Sequence, residues 1–465
     1  MSSSALAFSE WAVQEGCTSS GPLGQLKDKR VIIDAEAFVD NLLTSPSTRE
    51  PLLPALGGLP FALKKHVDSH IAGFRDQSIT PTFVFPGIDL GCRDRASIAR
   101  ESRAAAQSLN EAWNLYSQSK ADEAVAEFGK SCKPTFSGKY FHASSNSVGN
   151  YHTYHILRWL QSHLHHQGIR VQTAPYHAAA QAAQLESQNF GDAIYGSLSS
   201  IVYGADNVIV AFDWEAGSFK WVEKSKCLAK LGLNDDQFID LALLSGLSLV
   251  AAPDAVTDSP MPPLQSARAL LARSNNNGLA ACDIIKNEDY KALFMKARTA
   301  VKHGIVIDSL GEIKAWDSAT APFDLHEVTS PRLSDEMYFY MVRGVAGPRV
   351  LNWRTKAEIF ESPPLDGGSS QAYQQMVSQK LGPLRARSVA LLTPHLHHYY
   401  RKQDVTVVPW HDETSTRHLN VPDAVSSEPT NAAKKWRVNS QVLTKTSDQV
   451  RYHQLIACSC SADTP

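Results

Sequence analysis

Short apolar runs that alternate with amphipathic stretches constrain the fold of this 465-residue chain most strongly. The first run, KRVIID at residues 29–34, follows charged residues and has the form of a buried parallel strand. Apolar residues then recur at helical spacing from Leu63 to Phe74, and PTFVF at residues 81–85 predicts the next strand. This order of strand, helix and strand predicts an α/β fold in which helices flank a parallel sheet.

The composition describes a globular chain without a strong overall charge. Hydrophobic residues make up 43% of the chain, charged residues 20%, and the formal net charge is -2. The length exceeds that of one ordinary core and predicts more than one domain. The longest apolar run, residues 241–253, is too short to span a bilayer, and the seven cysteines are scattered. We therefore expect a cytoplasmic protein with free thiols and no membrane contact.

The segment TAPYHAAAQAAQ at residues 173–184 follows a predicted strand and begins a predicted helix. It resembles the A-P-x-E-A-E-A signature of the XPG/flap-endonuclease branch of the PIN-like nucleases. In that family the two glutamates project from the first turn of this helix into a magnesium site. Their positions in this sequence hold His177 and Ala179. The frame of the signature is therefore present, whereas both of its carboxylates are absent.

The same resemblance places the other metal-site positions of the family on this sequence. The first family aspartate falls on Asp34, and the second falls on Pro86. The aspartate pair falls on Ser197 and Ser199, and the last aspartate falls on Ser248. One carboxylate remains, whereas a pair of magnesium ions needs several negatively charged oxygen ligands. We therefore expect no catalytic residue, no bound metal and no cofactor, and we interpret Asp34 as an N-cap of the following helix.

Two other hypotheses remain open at this point. Asp89 and Glu186 lie near the site in sequence, so a rearranged metal site would make the protein an active structure-specific endonuclease. In the second hypothesis, the protein binds RNA in the nuclease cleft without cleaving it. A metal site on the helix that contains His152, His155, His163 and His166 is not favoured, because no cysteine or carboxylate joins these histidines at ligand spacing.

The segments that hold DNA in flap endonucleases are altered in this sequence. The helical insert at residues 91–134 contains seven basic and six acidic residues, so its net charge is close to neutral. Phosphate binding depends on several uncompensated positive charges, which this insert does not supply. The segment VAAPDAVTDSPMPPLQ at residues 250–265 lacks the paired glycines of the family's helix–two-turn–helix. We therefore expect that neither DNA grip of the family is retained.

Three further segments resemble a narrower group, the MKT (maintenance of killer toxin) family of fungi. They are residues 56–87, the run YFYMVRGVAGPRVLNW at residues 338–353 and the run ESPPLDGGSS at residues 361–370. The resemblance implies an XPG-like fold with an eroded active site and a role in post-transcriptional control of mRNA. The implied partner is an ataxin-2-like protein that binds poly(A)-binding protein, within mRNA–protein complexes.

The same resemblance predicts the domain organisation. Residues 1–330 are expected to form the XPG/PIN-like domain, which includes the insert at residues 91–134. Residues 331–420 are expected to form a smaller, mostly helical domain of the MKT type that is similar to a winged helix. The polar residues 421–465 are expected to be poorly ordered, and the chain is expected to end before a further domain that the family has.

Overall fold

The computed structural model describes residues 8–44, 61–89, 107–108, 110–131, 153–247, 249–309, 311–323, 325, 335–342, 346–361, 371–393, 396, 398–409 and 416–419. Several predictions therefore fall outside the described residues. These are the predictions for the two ends of the insert, for Ser248, for ESPPLDGGSS beyond its first residue and for the tail at residues 421–465.

A seven-stranded sheet organises the larger part of the molecule. Its strands are β1 (Thr18–Pro22), β2 (Arg30–Asp34), β3 (Thr80–Phe85), β4 (Arg170–Thr173), β5 (Ala193–Tyr195), β6 (Asn207–Asp213) and β7 (Ser218–Glu223). Their spatial order is β1-β7-β6-β5-β2-β3-β4. The strands from β6 to β4 in this order pair in parallel, whereas β7 pairs antiparallel with both β6 and β1. The predicted α/β fold with a parallel sheet is confirmed.

One helix precedes the first strand in the chain, and the others lie between the strands or follow the sheet. In chain order they are α1 (Phe8–Gln14), α2 (Ala35–Thr44), α3 (Phe61–Asp76), α4 (Ala121–Ser131), α5 (Thr153–His166), α6 (Ala178–Ser187), α7 (Ser199–Val202), α8 (Lys224–Leu231), α9 (Asp235–Leu244), α10 (Asp254–Thr257), α11 (Pro263–Arg273), α12 (Gly278–Ile285), α13 (Glu288–Lys302), α14 (Asp335–Val342), α15 (Pro348–Thr355), α16 (Gln371–Met376), α17 (Gly382–Leu392) and α18 (His398–Arg401). A π-helical turn, Val377–Leu381, joins α16 to α17. None of the helices in the described part of the chain is both long and apolar enough to cross a membrane.

Both faces of the sheet are covered. Because successive residues of a strand point to opposite sides, each central strand contributes side chains to two separate cores. Ile33 and Phe83 belong to the core that α2, α3 and α5 cover, whereas the neighbouring Ile32 and Val84 belong to the core on the other face. All four side chains are buried. The sheet is therefore the middle of three layers, and its strand ends are the places where side chains leave the core.

The signature helix α6 is fixed in place by a hairpin that follows the helical region. This hairpin consists of β8 (Ile305–Ile307) and β9 (Ile313–Ala315), which pair antiparallel. The buried Gln181 side chain of α6 donates to the carbonyl of Ile307 at 3.1 Å and accepts from its N–H at 2.8 Å. Helix α9 begins with a capping box, in which the Asn234 side chain accepts from the N–H of Gln237 at 2.9 Å.

The region after residue 330 combines helices with a small sheet and shares the main core. Its strands are β10 (Glu358–Phe360), β11 (Val405–Val408) and β12 (Arg417–Leu419), and β11 lies between the other two. Met337, Leu351 and Tyr400 are buried in the same core cluster as α6 and α9. The predicted boundary at residue 330 lies outside the described residues and stays a prediction. On its two sides, however, the hydrophobic core is continuous.

Candidate functional site

The positions that the family uses for metal follow the carboxyl ends of neighbouring parallel strands. Asp34 is the last residue of β2, and Pro86 comes directly after β3. His177 follows β4 as the N-cap of α6, and Ser197 follows β5. Because β5, β2, β3 and β4 are parallel neighbours, these positions lie along one edge of the sheet. Ser248, the last of the predicted positions, lies outside the described residues.

Asp34 is buried, and one of its carboxylate oxygens caps α2. Its side chain is 3% exposed. Its Oδ1 accepts hydrogen bonds from the N–H groups of Glu36 at 3.0 Å and Ala37 at 3.3 Å. A Cβ atom on Gly196 would lie 2.7 Å from the Asp34 Cβ, so the backbone of the β5 loop packs closely over this residue. Burial raises the pKa of Asp34 to about 6, despite the two N–H donors that favour the charged form.

The two signature positions carry no carboxylate and sit in an apolar setting. The His177 ring lies 5.8 Å from the Tyr203 ring, with 31° between the two ring planes. Ala179 is buried in the core on one face of the sheet. The imidazole of His177 is therefore the one titratable group of this helical turn, and it contacts an aromatic ring.

The two serines after β5 form hydrogen bonds with each other. Ser197 and Ser199 are buried, and the Ser199 hydroxyl donates to Ser197 Oγ at 2.7 Å. The N–H of Ser199 also donates to Ser197 Oγ, at 3.0 Å. After β3, Pro86 has no side-chain donor or acceptor, and the N–H of Gly87 donates to the carbonyl of Tyr176 at 2.8 Å. These contacts of Ser197, Ser199 and Gly87 are thus neutral hydrogen bonds.

This donor set does not fit a pair of magnesium ions. Magnesium requires hard, negatively charged oxygen ligands in octahedral geometry, and Asp34 is the one carboxylate among the described family positions. Across the ranges that the structure describes, no group of three or more His, Cys, Asp or Glu residues is arranged to hold a metal ion. Neutral serine hydroxyls, a proline and an alanine cannot supply the missing charge.

The two carboxylates considered for a rearranged site have other surroundings. Asp89 pairs with the Lys356 ammonium at 2.7 Å, and its N–H donates to Asn352 Oδ1 at 2.8 Å. Glu186 lies nine residues after His177 in α6, which corresponds to about 13 Å along a helix axis. Burial, followed by the charge of Asp206, raises the pKa of Glu186 to about 7. Asp89 therefore contacts the region after residue 330, whereas Glu186 lies near the end of α6 that is remote from His177.

Residues from the region after 330 reach this edge, although no local sequence pattern predicts these contacts. Asn352 and Lys356, from α15 and its end, hold the loop after β3 through Asp89. The buried Tyr338 hydroxyl donates to the carbonyl of Thr173, the last residue of β4, at 2.7 Å. Tyr338 and Asn352 lie within the MKT-like run at residues 338–353, and this run was the one sequence feature that pointed to a role for them. The loops that carry Pro86 and His177 are therefore tied to the region after 330.

The N-terminal amides of helix α12 form hydrogen bonds with side chains of the protein itself. The N–H of Gly278, the first residue of α12, donates to Asp240 Oδ2 at 3.1 Å. The Asp240 Oδ1 accepts from Arg298 Nε at 2.6 Å, and the Asn277 side chain caps the next two N–H groups of the helix. These amides are bonded to protein groups and are therefore not available to a phosphate. The expectation for residues 250–265 stays a prediction.

The histidine-containing helix α5 makes ordinary packing contacts in its described part. His163 Nε2 lies 2.6 Å from Asp68 Oδ1, and the His163 ring stacks on Trp159 at 5.4 Å. His166 Nδ1 lies 2.7 Å from the carbonyl of Ser162. His152 and the side chain of His155 lie outside the described residues.

The sheet, its parallel order and the signature helix resemble an XPG-like nuclease fold, and the family description "XPG I-region" matches residues 168–248. A second family description, "Temperature dependent protein affecting M2 dsRNA replication" (MKT1_N), matches residues 322–411. Together with the relatives described next, these matches confirm the resemblance to the MKT family with its XPG-like fold.

Three curated relatives carry the name post-transcriptional regulator MKT1. The relative from Cryptococcus neoformans is 29% identical over 452 residues, which cover 90% of this chain and 56% of the relative. The relative from Saccharomyces cerevisiae is 20% identical, with 86% and 58% of the two chains covered. The relative from Schizosaccharomyces pombe is 21% identical, with 90% and 60% covered. The chain thus spans somewhat more than half the length of the curated relatives it matches.

Solved structures that are similar to this chain include two nucleases. Flap endonuclease-1 from Methanococcus jannaschii has 18% identity and a TM-score of 0.38, with 61% of this chain and 81% of that chain covered. Human GEN1 in complex with Holliday junction DNA has 13% identity and a TM-score of 0.40, with 94% and 99% covered.

Proposed function

We propose that this protein is a catalytically inactive scaffold with a nuclease fold, which acts in post-transcriptional regulation of mRNA by docking a partner protein. The observation that carries this proposal is the chemistry of the carboxyl edge of the sheet. One buried aspartate, occupied as a helix cap, remains where the family needs a cluster of carboxylates. Without that cluster, the protein has no means of holding two metal ions or of lowering the pKa of an attacking water.

The regulatory part of the proposal is supported by the names of the three curated relatives, all of which are post-transcriptional regulators. The partner we propose is an ataxin-2-like protein that binds poly(A)-binding protein, and the site of action is the cytoplasm, on polysomes or RNA granules. A fold that has lost its chemistry still offers a rigid surface, because function is carried by sites placed on folds.

A nuclease assay tests the first half of the proposal. The purified full chain is incubated with magnesium or manganese and with flap, bubble and single-stranded DNA and RNA substrates. We expect no cleavage above the buffer control. The Asp34→Ala variant provides the control for contaminating nucleases, because a contaminant cuts equally in both preparations. Cleavage by the wild-type chain that disappears in Asp34→Ala would refute catalytic inactivity and favour a rearranged metal site.

Co-purification tests the second half. The tagged full chain is co-expressed with the ataxin-2-like protein and recovered after nuclease treatment, which removes bridging RNA. We expect the partner to be retained under these conditions. Loss of the partner after nuclease treatment, together with direct binding of the chain to RNA, would instead favour the hypothesis of a non-cleaving RNA-binding protein.

A further inference from the structure

The continuous helix formed by α16, the π-helical turn and α17 exposes large aliphatic side chains between basic ones. We propose that this face binds an acidic amphipathic segment of the partner protein. The face consists of Met376, Lys380, Leu384 and Arg387 and is called the Met376–Arg387 face below. The inference rests on the proposed function, because it names the surface through which that scaffold would hold its partner and the chemistry of the bound segment.

The spacing of the four residues places them on one side of the helix. They follow one another at steps of four, four and three residues, which is the spacing of a single helical face. Met376 is 43% exposed and Leu384 is 58% exposed, and both basic residues are also exposed. On the side that faces the protein, Val377, Val389 and Ala390 are buried. The helix is therefore anchored on one side, and its other side displays apolar side chains to solvent.

The charge of this helix has one sign. Residues 371–393 contain three basic residues, Lys380, Arg385 and Arg387, and no acidic residue. Arg385 is turned inward, where it pairs with the buried Glu361 at 2.6 Å and lies 5.9 Å from the centre of the Trp353 ring. Lys380 and Arg387 remain on the exposed face. The face therefore combines two apolar anchors with two cations and presents no carboxylate of its own.

The positive charge extends beyond this helix to its neighbours. Between residues 346 and 419 the sequence contains nine basic and six acidic residues, and three of the acidic ones, Asp366, Asp412 and Glu413, lie outside the described residues. Three of the basic side chains are engaged within the protein: Arg354 donates to backbone carbonyls, Lys356 pairs with Asp89, and Arg385 pairs with Glu361. The net charge of -2 for the whole chain conceals this local excess. An incoming acidic segment is attracted by such a surface, and the attraction weakens as salt is added.

A second observation points to the same helix. Val377–Leu381 is a π-helical turn, which is rare in proteins and is frequently found at functional sites. It lies between Met376 and Leu384, in the middle of the exposed face. A regular α-helix would rotate Met376 and Leu384 relative to each other, so this turn sets the relative position of the two apolar side chains.

The side chains that are exposed favour a protein over RNA as the bound partner. Single-stranded nucleic acids are held by aromatic side chains on which bases stack, in addition to positive charge. The exposed apolar residues of this face are methionine and leucine, which suit the aliphatic side chains of a peptide. Segments that alternate acidic and apolar residues are disordered alone and order on binding, which suits a docking face of this size.

Two double variants of the full chain test the inference, with the ataxin-2-like protein proposed above as the probe. Met376→Asp/Leu384→Asp removes the apolar anchors, and Lys380→Glu/Arg387→Glu reverses the charge. Each is expected to weaken partner binding about tenfold or more, because a few central contacts carry most of an interface's affinity. Matched controls are Met295→Asp, whose side chain is 49% exposed on α13, and Arg273→Glu/Lys296→Glu, which reverses two exposed charges elsewhere.

The outcomes separate the inference from the proposed function. Weaker binding by both face variants, with normal melting temperatures and unaffected controls, supports the inference. Full binding by both face variants overturns it and leaves the proposed function standing. A wild-type chain that does not retain the partner contradicts the proposed function itself. Face variants that retain the partner but lose affinity for a labelled single-stranded RNA also overturn the inference, in favour of an RNA contact at this helix.

Discussion

Replacing Asp34 with asparagine is expected to stabilise this protein at neutral pH. The Asp34 carboxylate is buried and accepts two backbone hydrogen bonds through one oxygen. An asparagine side chain offers the same acceptor oxygen to the N–H groups of Glu36 and Ala37 and is an equally good N-cap. It carries no charge, however, so it avoids the cost of burying an ionised group. In a metal site, by contrast, the same substitution removes a charged ligand.

The magnitude follows from the pKa of Asp34. Burial raises it from an ordinary value of 3.8 to about 6. The folded state thus holds this proton more tightly than the unfolded state, so the contribution to stability is complete below pH 4 and is lost as the pH rises to about 6. A shift of this size corresponds to about 3 kcal/mol. Burial and the Asp34 charge also raise the pKa of Asp40 to about 7, so the decline in wild-type stability extends towards neutral pH.

Urea unfolding of the wild-type chain and of Asp34→Asn across pH 4 to 8 measures this effect. We expect similar stabilities near pH 4 and an advantage for Asp34→Asn of about 1–3 kcal/mol above pH 7. Asp34→Ala loses the cap and should be less stable than Asp34→Asn by about 0.5–2 kcal/mol at every pH. Magnesium should leave the wild-type unfolding midpoint unchanged, because a ligand stabilises only a state that binds it. An Asp34→Asn protein that is less stable than wild type at pH 7.5, or a magnesium-dependent gain in the wild type, would refute the interpretation of Asp34 as a buried cap.

Three further substitutions test contacts that the structure defines. Gly278→Ala should destabilise the fold by about 1–3 kcal/mol in chemical denaturation, because its Cβ would lie 2.5 Å from the Asp240 Cγ; Gly24→Ala, whose Cβ would meet nothing within 4 Å, is the control. Lys356→Ala should cost about 1–2 kcal/mol, since it removes the ammonium that pairs with the half-buried Asp89, and an unchanged unfolding midpoint would contradict this pairing. Tyr338→Phe should cost about 1 kcal/mol through the lost hydrogen bond to Thr173, and equal stability of the two proteins would argue against that bond.

Local signals in the sequence predicted much of the fold. The apolar runs that form β2 and β3 depend on residues close together in the chain, and the structure has both strands as predicted. The N-cap role of Asp34 was visible for the same reason, because its partners are two and three residues away. Patterns of this kind are encoded by periodicity and by short-range hydrogen bonding.

Contacts between distant parts of the chain were not predicted. Asp89 and Lys356 are 267 residues apart in sequence, so nothing near either residue indicates the other. The Ser197–Ser199 hydrogen bond depends on the turn that leads into α7, which the spacing of two serines alone does not fix. The Met376–Arg387 face does not stand out in the net charge of -2, because the excess of basic residues is local to residues 371–393.

The carboxyl edge of the sheet connects these observations with the proposed function. In this protein the loops after β3 and β4 bond to the region after residue 330, through Asp89 and through the carbonyl of Thr173. The side chains of Met337, Leu351 and Tyr400 complete the core on the same side, so the region is part of the folded unit and not an appendage. A partner that binds the Met376–Arg387 face would therefore be held rigidly relative to the sheet. Under the proposed function, the carboxyl edge would serve to support the docking region, because its loops bond to that region.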